Sequence, residues 1–396
     1  MINDEAAIPF SRAEYAARLD RVRTRLQEKR VDVAVLTAPD TIAWLTGYRS
    51  RWYRHHTSTA FPPVHALVID LRDDRLFLID AEYHEDLARG SSVVTDFRRP
   101  DAVSATGEPS LDEFVAFLFA QIGQLEHQNI GVERWSCVPS PAVASIVDQG
   151  LVRAGAMVSD VSLTLRAARR LKSASEIQLI RQAQAACDAG IEAIVASATP
   201  DMTELEAWGV YSLGMARAGG EPAALHETVA AGSAVSDIHA LSGRRRLGSA
   251  PVVYPDMAAA VHGYHARATR PLVFGPADDE TARLAEIVAG VYDVIEAVGM
   301  PGTPWSVLAD AVRRYSDHAG IDTSAGGYEL GLSVPPADWV GEFTWAIEDP
   351  PAGIVEAGLV TNLEIFNSVI MVDTIVFLED GPQFLSRLPR SVLEIR

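Results

Sequence analysis

Tyr254-Pro255-Asp256-Met257-Ala258-Ala259-Ala260-Val261-His262-Gly263-Tyr264-His265-Ala266-Arg267 reads as one half of a metal site whose other half is missing. Asp256 is the kind of carboxylate that binds a divalent cation, whereas Arg267 stands where a second acid would serve such a site. A guanidinium has donors only and a permanent charge, so it cannot ligate a metal and repels one. At about 4 Å and an effective dielectric of about 20, two unit charges interact by roughly 4 kcal/mol, so a dication facing Arg267 would be opposed by about twice that. In extended chain, His265 and Arg267 share one face, and Tyr264 and Ala266 share the other. Asp256 has the opposite parity to Arg267, so bringing the two together requires a turn near Val261 to Gly263.

The 396 residues suffice for two ordinary domains or one large one, and half of the chain is apolar, which marks a globular protein. Its 34 Lys and Arg against 53 Asp and Glu leave a net charge of −19. Nucleic acid and anionic membranes demand the opposite balance, so neither is expected as a partner. Cys137 and Cys187 lie far apart and form neither a metal-binding spacing nor a disulfide framework, which suits a cytoplasmic protein. The N-terminus is acidic without an apolar core, unlike a signal peptide, and no apolar run is long enough to span a membrane.

Patterns of helix and strand alternate through the first part. Ser11 caps a helix to Lys29, Asp32 to Thr37 is a short apolar strand, and Pro39 to Leu45 forms a helical turn ending near Gly47. Val64 to Asp70 and Arg75 to Ile79 form a hairpin. A helix (111–125), a strand (130–133) and a helix (141–150) follow, which predicts an α/β N-terminal domain over residues 1–168. The basic segment 166–175 then leads into a long amphipathic helix, 176–196, with Ile177, Ile180, Ala183, Cys187, Ile191 and Ile194 at helical spacing. Residues 169–396 read as an α+β domain, its sheet covered by helices on one side.

Several segments align in order and spacing with a known pattern. They are Trp44-Leu45-Thr46-Gly47-Tyr48, Leu171-Lys172-Ser173, Asp256 with Gly263-Tyr264 and Arg270, Glu356 to Glu364, and Val372-Asp373-Thr374 running to Gly381. Together they resemble the creatinase/aminopeptidase P/prolidase family, over nearly the whole chain. The resemblance implies a creatinase-like N-terminal domain, a pita-bread C-terminal domain and a homodimer. Metallopeptidases of that family hold two metals with two Asp, one His and two Glu. Carried over, those positions fall on Asp256, Arg267, Tyr328, Glu364 and Val372, so only two of the five keep a ligand. No metal and no other cofactor is expected.

The chain is more similar to the family's metal-independent branch. Creatinase uses a His as acid/base in a segment resembling Ala231 to His239, and Gly327-Tyr328 to Trp339 resembles ectoine hydrolase, a ring-opening amidine hydrolase. The resemblance therefore implies that His239, Asp256 and Glu364 are catalytic. An imidazole moves protons near neutral pH, and a carboxylate acts as nucleophile, as base for water or as anchor for a cationic amidine. Arg267 neutralises an acid or clamps a substrate carboxylate, and Trp44, His265, Tyr328 and Trp339 complete the expected substrate contacts. The cluster Arg51 to His56 suits a loop crossing to a second subunit. The expected activity is metal-free hydrolysis of a C–N bond in a small polar molecule. A lyase, as in another branch of the family, and a non-catalytic homologue remain the alternatives.

Overall fold

A computed structural model of the chain describes residues 8–50, 65–100, 111–225, 227–231, 241–321, 324–334, 341, 343–367 and 369–396. His239, Trp339 and the cluster Arg51 to His56 lie outside the described residues. Two compact units emerge, one of Met1–Arg169 with Ser333–Asp338, the other of Arg170–Leu332 with Trp339–Arg396.

The first unit runs α1 (Arg12–Glu28), β1 (Val33–Leu36), α2 (Pro39–Thr46), β2 (Ala66–Asp70), β3 (Arg75–Ile79), α3 (Glu85–Ser91), β4 (Phe97–Arg98), α4 (Leu111–Ile122), β5 (Asn129–Val132), α5 (Pro141–Arg153), β6 (Met157–Asp160) and α6 (Ser162–Arg169). Its six strands form one mixed sheet in the order β4-β3-β2-β1-β5-β6. Val33, Val35, Val68, Phe77 and Ile130 pack against Phe114, Leu118 and Ile122 of α4 and Val143, Val147 and Leu151 of α5. This is the α/β layer expected. Ser11 caps α1 by accepting from the Glu14 amide. Gly47 closes α2 at φ 85°, a left-handed conformation that glycine adopts without steric cost.

In the second unit the long helix α7 (Ala174–Ser197) starts at a capping box. Ser173 Oγ accepts from the Glu176 amide, and the Glu176 carboxylate accepts from the Ser173 amide. Then come α8 (Glu204–Arg217), β7 (Thr228–Ala230), β8 (Tyr254–Val261), β9 (Tyr264–Thr269), β10 (Leu272–Phe274), α9 (Asp279–Val298), α10 (Trp305–Ala319), β11 (Ser324–Tyr328), β12 (Thr344–Ala346), β13 (Val360–Phe366), β14 (Ile370–Leu378), β15 (Gly381–Phe384) and β16 (Leu393–Ile395). A main sheet orders its strands β12-β11-β13-β14-β9-β8-β7, with β15 paired to β14.

Alternation along these strands sorts the sheet into two faces. Met257, Ala259 and Ala268 pack with Ala186, Cys187, Ile191 and Ile194 of α7. Leu363, Ile365, Met371, Ile375 and Phe377 pack with Val288, Tyr292 and Ile295 of α9 and Leu308 and Val312 of α10. Fully burying an Ile or Leu contributes about 1.5–3 kcal/mol, so these seams fix which face each strand gives the helices. The residues between them, Asp256, Arg267, Thr269, Glu364 and Val372, point to the other face. No helix of the described residues is long and apolar enough to cross a membrane.

Candidate active site

The turn required between Asp256 and Arg267 is present. Val261 pairs with Tyr264, and His262 (φ 50°) and Gly263 (φ 78°) make a two-residue hairpin turn with both central residues left-handed. The hairpin register sets Asp256 opposite Thr269 and Ala258 opposite Arg267. Antiparallel pairing carries the row onward: Thr228 opposite Asp256, Thr269 opposite Val372, Val372 opposite Glu364, and Glu364 opposite Gly326. Residues far apart in sequence thus stand side by side on one face because every strand alternates with period two.

Arg267 lies at the centre, 7 % exposed. Its Nη2 donates to both oxygens of Asp256 at 2.6 and 2.7 Å, and its Nη1 donates to Glu364 Oε1 at 2.7 Å and to the Tyr328 hydroxyl. The guanidinium carbon is 5.5 Å from the centre of the Tyr328 ring. Burial opposes the charge of Arg267, but the Asp256 and Glu364 carboxylates outweigh it and raise the guanidinium pKa above its ordinary value. Thr269 Oγ1 donates to Asp256 Oδ1 at 2.8 Å, and Asn362 Nδ2 donates to Glu364 Oε1 at 2.8 Å. Asn362 Oδ1 accepts from the Tyr328 amide at 2.7 Å. Gly327 permits that approach, since a Cβ there would lie 1.9 Å from the Asn362 carbonyl oxygen.

Above the cluster is a recess with a cavity volume of about 10 Å³, lined by Ala230, Tyr254, Asp256, Arg267, Thr269, Glu364, Phe366, Ile370 and Val372. It has room for about one water molecule and not for a whole ligand, and it is apolar on its walls and polar at its base. Burial pushes the Tyr254 phenol up to about 12, so it stays neutral there. Asp256 and Glu364 therefore meet as expected, with Arg267 and Tyr328 between and beside them.

Other expectations need correction. Trp44 is 2 % exposed inside the first unit, with the Arg18 guanidinium 5.4 Å from its ring centre and its carbonyl accepting from Arg18. His265 does share the face of Arg267, yet both ring nitrogens are engaged in the fold. Nε2 accepts from the Ala224 amide at 2.8 Å, and Nδ1 lies 3.3 Å from the Gly331 carbonyl, which assigns the proton to Nδ1. Burial lowers its pKa to about 4, with the Gly331 hydrogen bond opposing the shift, so the ring is neutral and structural. The substrate clamp expected of Arg267 is also corrected, because both terminal nitrogens already carry protein oxygens. Nor does Asp256 stand ready as nucleophile or base: Arg267 holds both its oxygens, and Thr269 holds one of them again.

Sequence reading missed Thr269 and Asn362, although each lies two residues from a named site residue and so on the same face. It also missed that Lys172 Nζ forms an ion pair with Glu329, the residue after Tyr328, both side chains at most 3 % exposed. Glu204 accepts from the Ala231 amide at 2.8 Å and the Gly243 amide at 2.7 Å, which fastens the described residues flanking the segment that contains His239.

This fold and site define a creatinase-like N-terminal domain followed by a pita-bread domain. The model of metallopeptidase family M24 matches residues 178–380, and that of the creatinase/prolidase N-terminal domain matches residues 18–170. The chain belongs to metallopeptidase family M24, a hydrolase and peptidase family. It is 25 % identical over 398 residues to the uncharacterized hydrolase/peptidase y4tM of Sinorhizobium fredii, covering 97 % of this chain and 98 % of the relative. It is 22 % identical over 419 residues to the ectoine hydrolase of Halomonas elongata, covering 98 % and 99 %. Among solved structures, the X-Pro aminopeptidase of Thermotoga maritima matches with a TM-score of 0.75 at 18 % identity, over 95 % of this chain and 99 % of that one. The prolidase of Thermococcus sibiricus matches with a TM-score of 0.76 at 17 % identity, over 96 % and 99 %.

The residues in place do not fit the metal pair that the family's name implies. The guanidinium occupies the space between the two acids, and apolar Val372 separates Glu364 from Thr269 along the row. Among the described residues no group of three or more His, Cys, Asp or Glu could hold a metal ion.

Proposed function

We propose that this chain hydrolyses a C–N bond in a small polar molecule without a metal ion. The observation that carries the reading is the Arg267 guanidinium seated between Asp256 and Glu364 at the base of the pocket. One positive charge against two negative leaves the cluster a net −1, which suits a substrate that presents an amidinium, an ammonium or an N–H donor. Glu364 Oε1 is taken by Arg267 and Asn362, which leaves Oε2 to act on the pocket contents. In the proposed reaction Glu364 accepts a proton from water, the water oxygen bonds to the substrate carbon, His239 delivers a proton to the nitrogen, and the C–N bond breaks. Asp256 is a positioning residue that orients Arg267, and Tyr328, whose hydroxyl accepts from Arg267, is proposed as a substrate contact.

The full-length similarity to an ectoine hydrolase favours a small substrate over a peptide. A homodimer and a cytoplasmic location are proposed with it, from the resemblance and from two cysteines that are both free. The test is a panel of cyclic amidines, guanidines and small amides offered in oxygen-labelled water. Label in the carbon product of one compound is the expected result. An unlabelled, unsaturated product would replace hydrolysis with the lyase reading.

A further inference from the structure

We infer that Asn362 is a positioning residue that couples Tyr328 to Glu364, so that substrate contact at Tyr328 sets the carboxylate that takes the proton of water. The consequence for turnover rests on the hydrolytic reading, whereas the coupling rests on the geometry of β11 and β13. The two strands pair through Ser324–Phe366, Ala325–Ile365 and Gly326–Glu364, and then only at the single bridge Glu329–Thr361. Across the gap, side chains of β13 replace main chain as partners of Tyr328. Its amide donates to Asn362 Oδ1 at 2.7 Å, and its carbonyl accepts from Thr361 Oγ1 at 2.7 Å. Thr361 is fixed in turn by the Trp345 indole, which donates to Oγ1 at 3.1 Å.

Thr361 and Asn362 are both fully buried, so their polar atoms depend on these partners. A backbone N–H only donates, which sets the amide oxygen of Asn362 towards Tyr328. The other end of the same amide, Nδ2, is thereby aimed at Glu364 Oε1, 2.8 Å away. That oxygen also accepts from Arg267 Nη1, which donates to the Tyr328 hydroxyl as well. Tyr328, Asn362, Glu364 and Arg267 thus form a closed circuit of hydrogen bonds, with Tyr328 held at its amide and at its hydroxyl. Two donors on Oε1 leave the proton of water to Oε2. A displacement of Tyr328 turns the Asn362 amide and withdraws one donor from the carboxylate.

Asn362→Asp keeps an oxygen for the Tyr328 amide but sets its second oxygen against Glu364, whereas Asn362→Ala removes both contacts. On the compound turned over in labelled water, Asn362→Asp is expected to lower kcat roughly 10–100-fold, the worth of a hydrogen bond to a charged group, with KM little changed. Asn362→Ala should lower kcat as far and raise KM as well, because Tyr328 is released. Added to Glu364→Gln, Asn362→Asp should cost no more than about twofold further, as for residues acting as one unit. Wild-type kcat in Asn362→Asp, the same rise of KM in both variants, or a full further loss in the Glu364→Gln background would each overturn the inference. If no compound of the panel is turned over, the hydrolytic reading fails, and crystal structures of the two variants decide the coupling. Asn362→Asp should shift Glu364 alone, and Asn362→Ala should shift both Glu364 and Tyr328. Glu364 in its wild-type place in either structure would overturn the coupling, and should one variant fail to fold, the structure of the other decides by the same criterion.

Discussion

Arg267→Met is expected to destabilise the second unit by about 3–5 kcal/mol, the usual cost of breaking a buried ion pair by removing one partner. Methionine fills a similar volume with no charge, so the loss comes from what is left behind. Asp256 and Glu364 remain on one sheet face, 8 % exposed in the case of Asp256, without the cation that reconciles them. For a unit of this size each kcal/mol shifts the melting temperature by about 2–4 °C, so the melting point should fall by on the order of 10 °C. Adding Asp256→Asn removes one of the two stranded charges. The double variant should therefore be less destabilised than the sum of the singles by about 0.5–3 kcal/mol, the range seen for residues in one ionic network. Urea and thermal unfolding of the four proteins measure this, and additive losses would show that Arg267 does not act as the partner of Asp256.

Glu364→Gln should cut turnover by about 10²–10⁴-fold, equal to about 2.7–5.5 kcal/mol of barrier. Glutamine keeps the length of the side chain and, through its carbonyl oxygen, the acceptor for Arg267 Nη1 and Asn362 Nδ2. What it lacks is the second carboxylate oxygen and the negative charge. If Glu364 takes the proton of water, kcat falls and KM changes little; if it anchors a cationic group, KM rises as well. Glu280→Gln, at a side chain two-thirds exposed and paired only with Arg283 on α9, serves as the control with turnover unchanged. Equal activity of Glu364→Gln and wild type would remove Glu364 from the chemistry.

Much of this was legible in the chain itself, for identifiable reasons. The apolar stripe of α7 and its Ser173–Glu176 cap are local signals, and helix packing on the sheet follows from them. Asp256 and Arg267 converge because a short hairpin forces it, and the alternation that demanded a turn near Val261 to Gly263 also places His262-Gly263 in one. The less visible elements have weaker local patterns. β6 is an edge strand with exposed or half-buried residues throughout, so it carries no alternation of apolar and polar types. α6 runs into the basic segment 166–175, whose arginines read as a boundary, and its start depends on Ser162 donating to Asp160.

The site residues divide in the same way. Thr269 and Asn362 follow from period two once Arg267 and Glu364 are chosen. The fate of His265 depends on carbonyl and amide groups at Gly331 and Ala224, distant partners that no local pattern reveals. Trp44 belongs to a motif shared with the family, yet its indole is a core side chain beneath Arg18. A motif marks where a family keeps a residue, and only the surrounding packing says what the residue does.

The central claim is that the carboxylates of this pocket work with a guanidinium in place of metal. Its most direct test is the turnover of wild-type protein, on the substrate found in labelled water, before and after exhaustive chelation and dialysis into metal-free buffer. Unchanged turnover, with no stimulation by added manganese or zinc, is the predicted result. Loss of turnover on chelation, restored by a divalent ion, would contradict it.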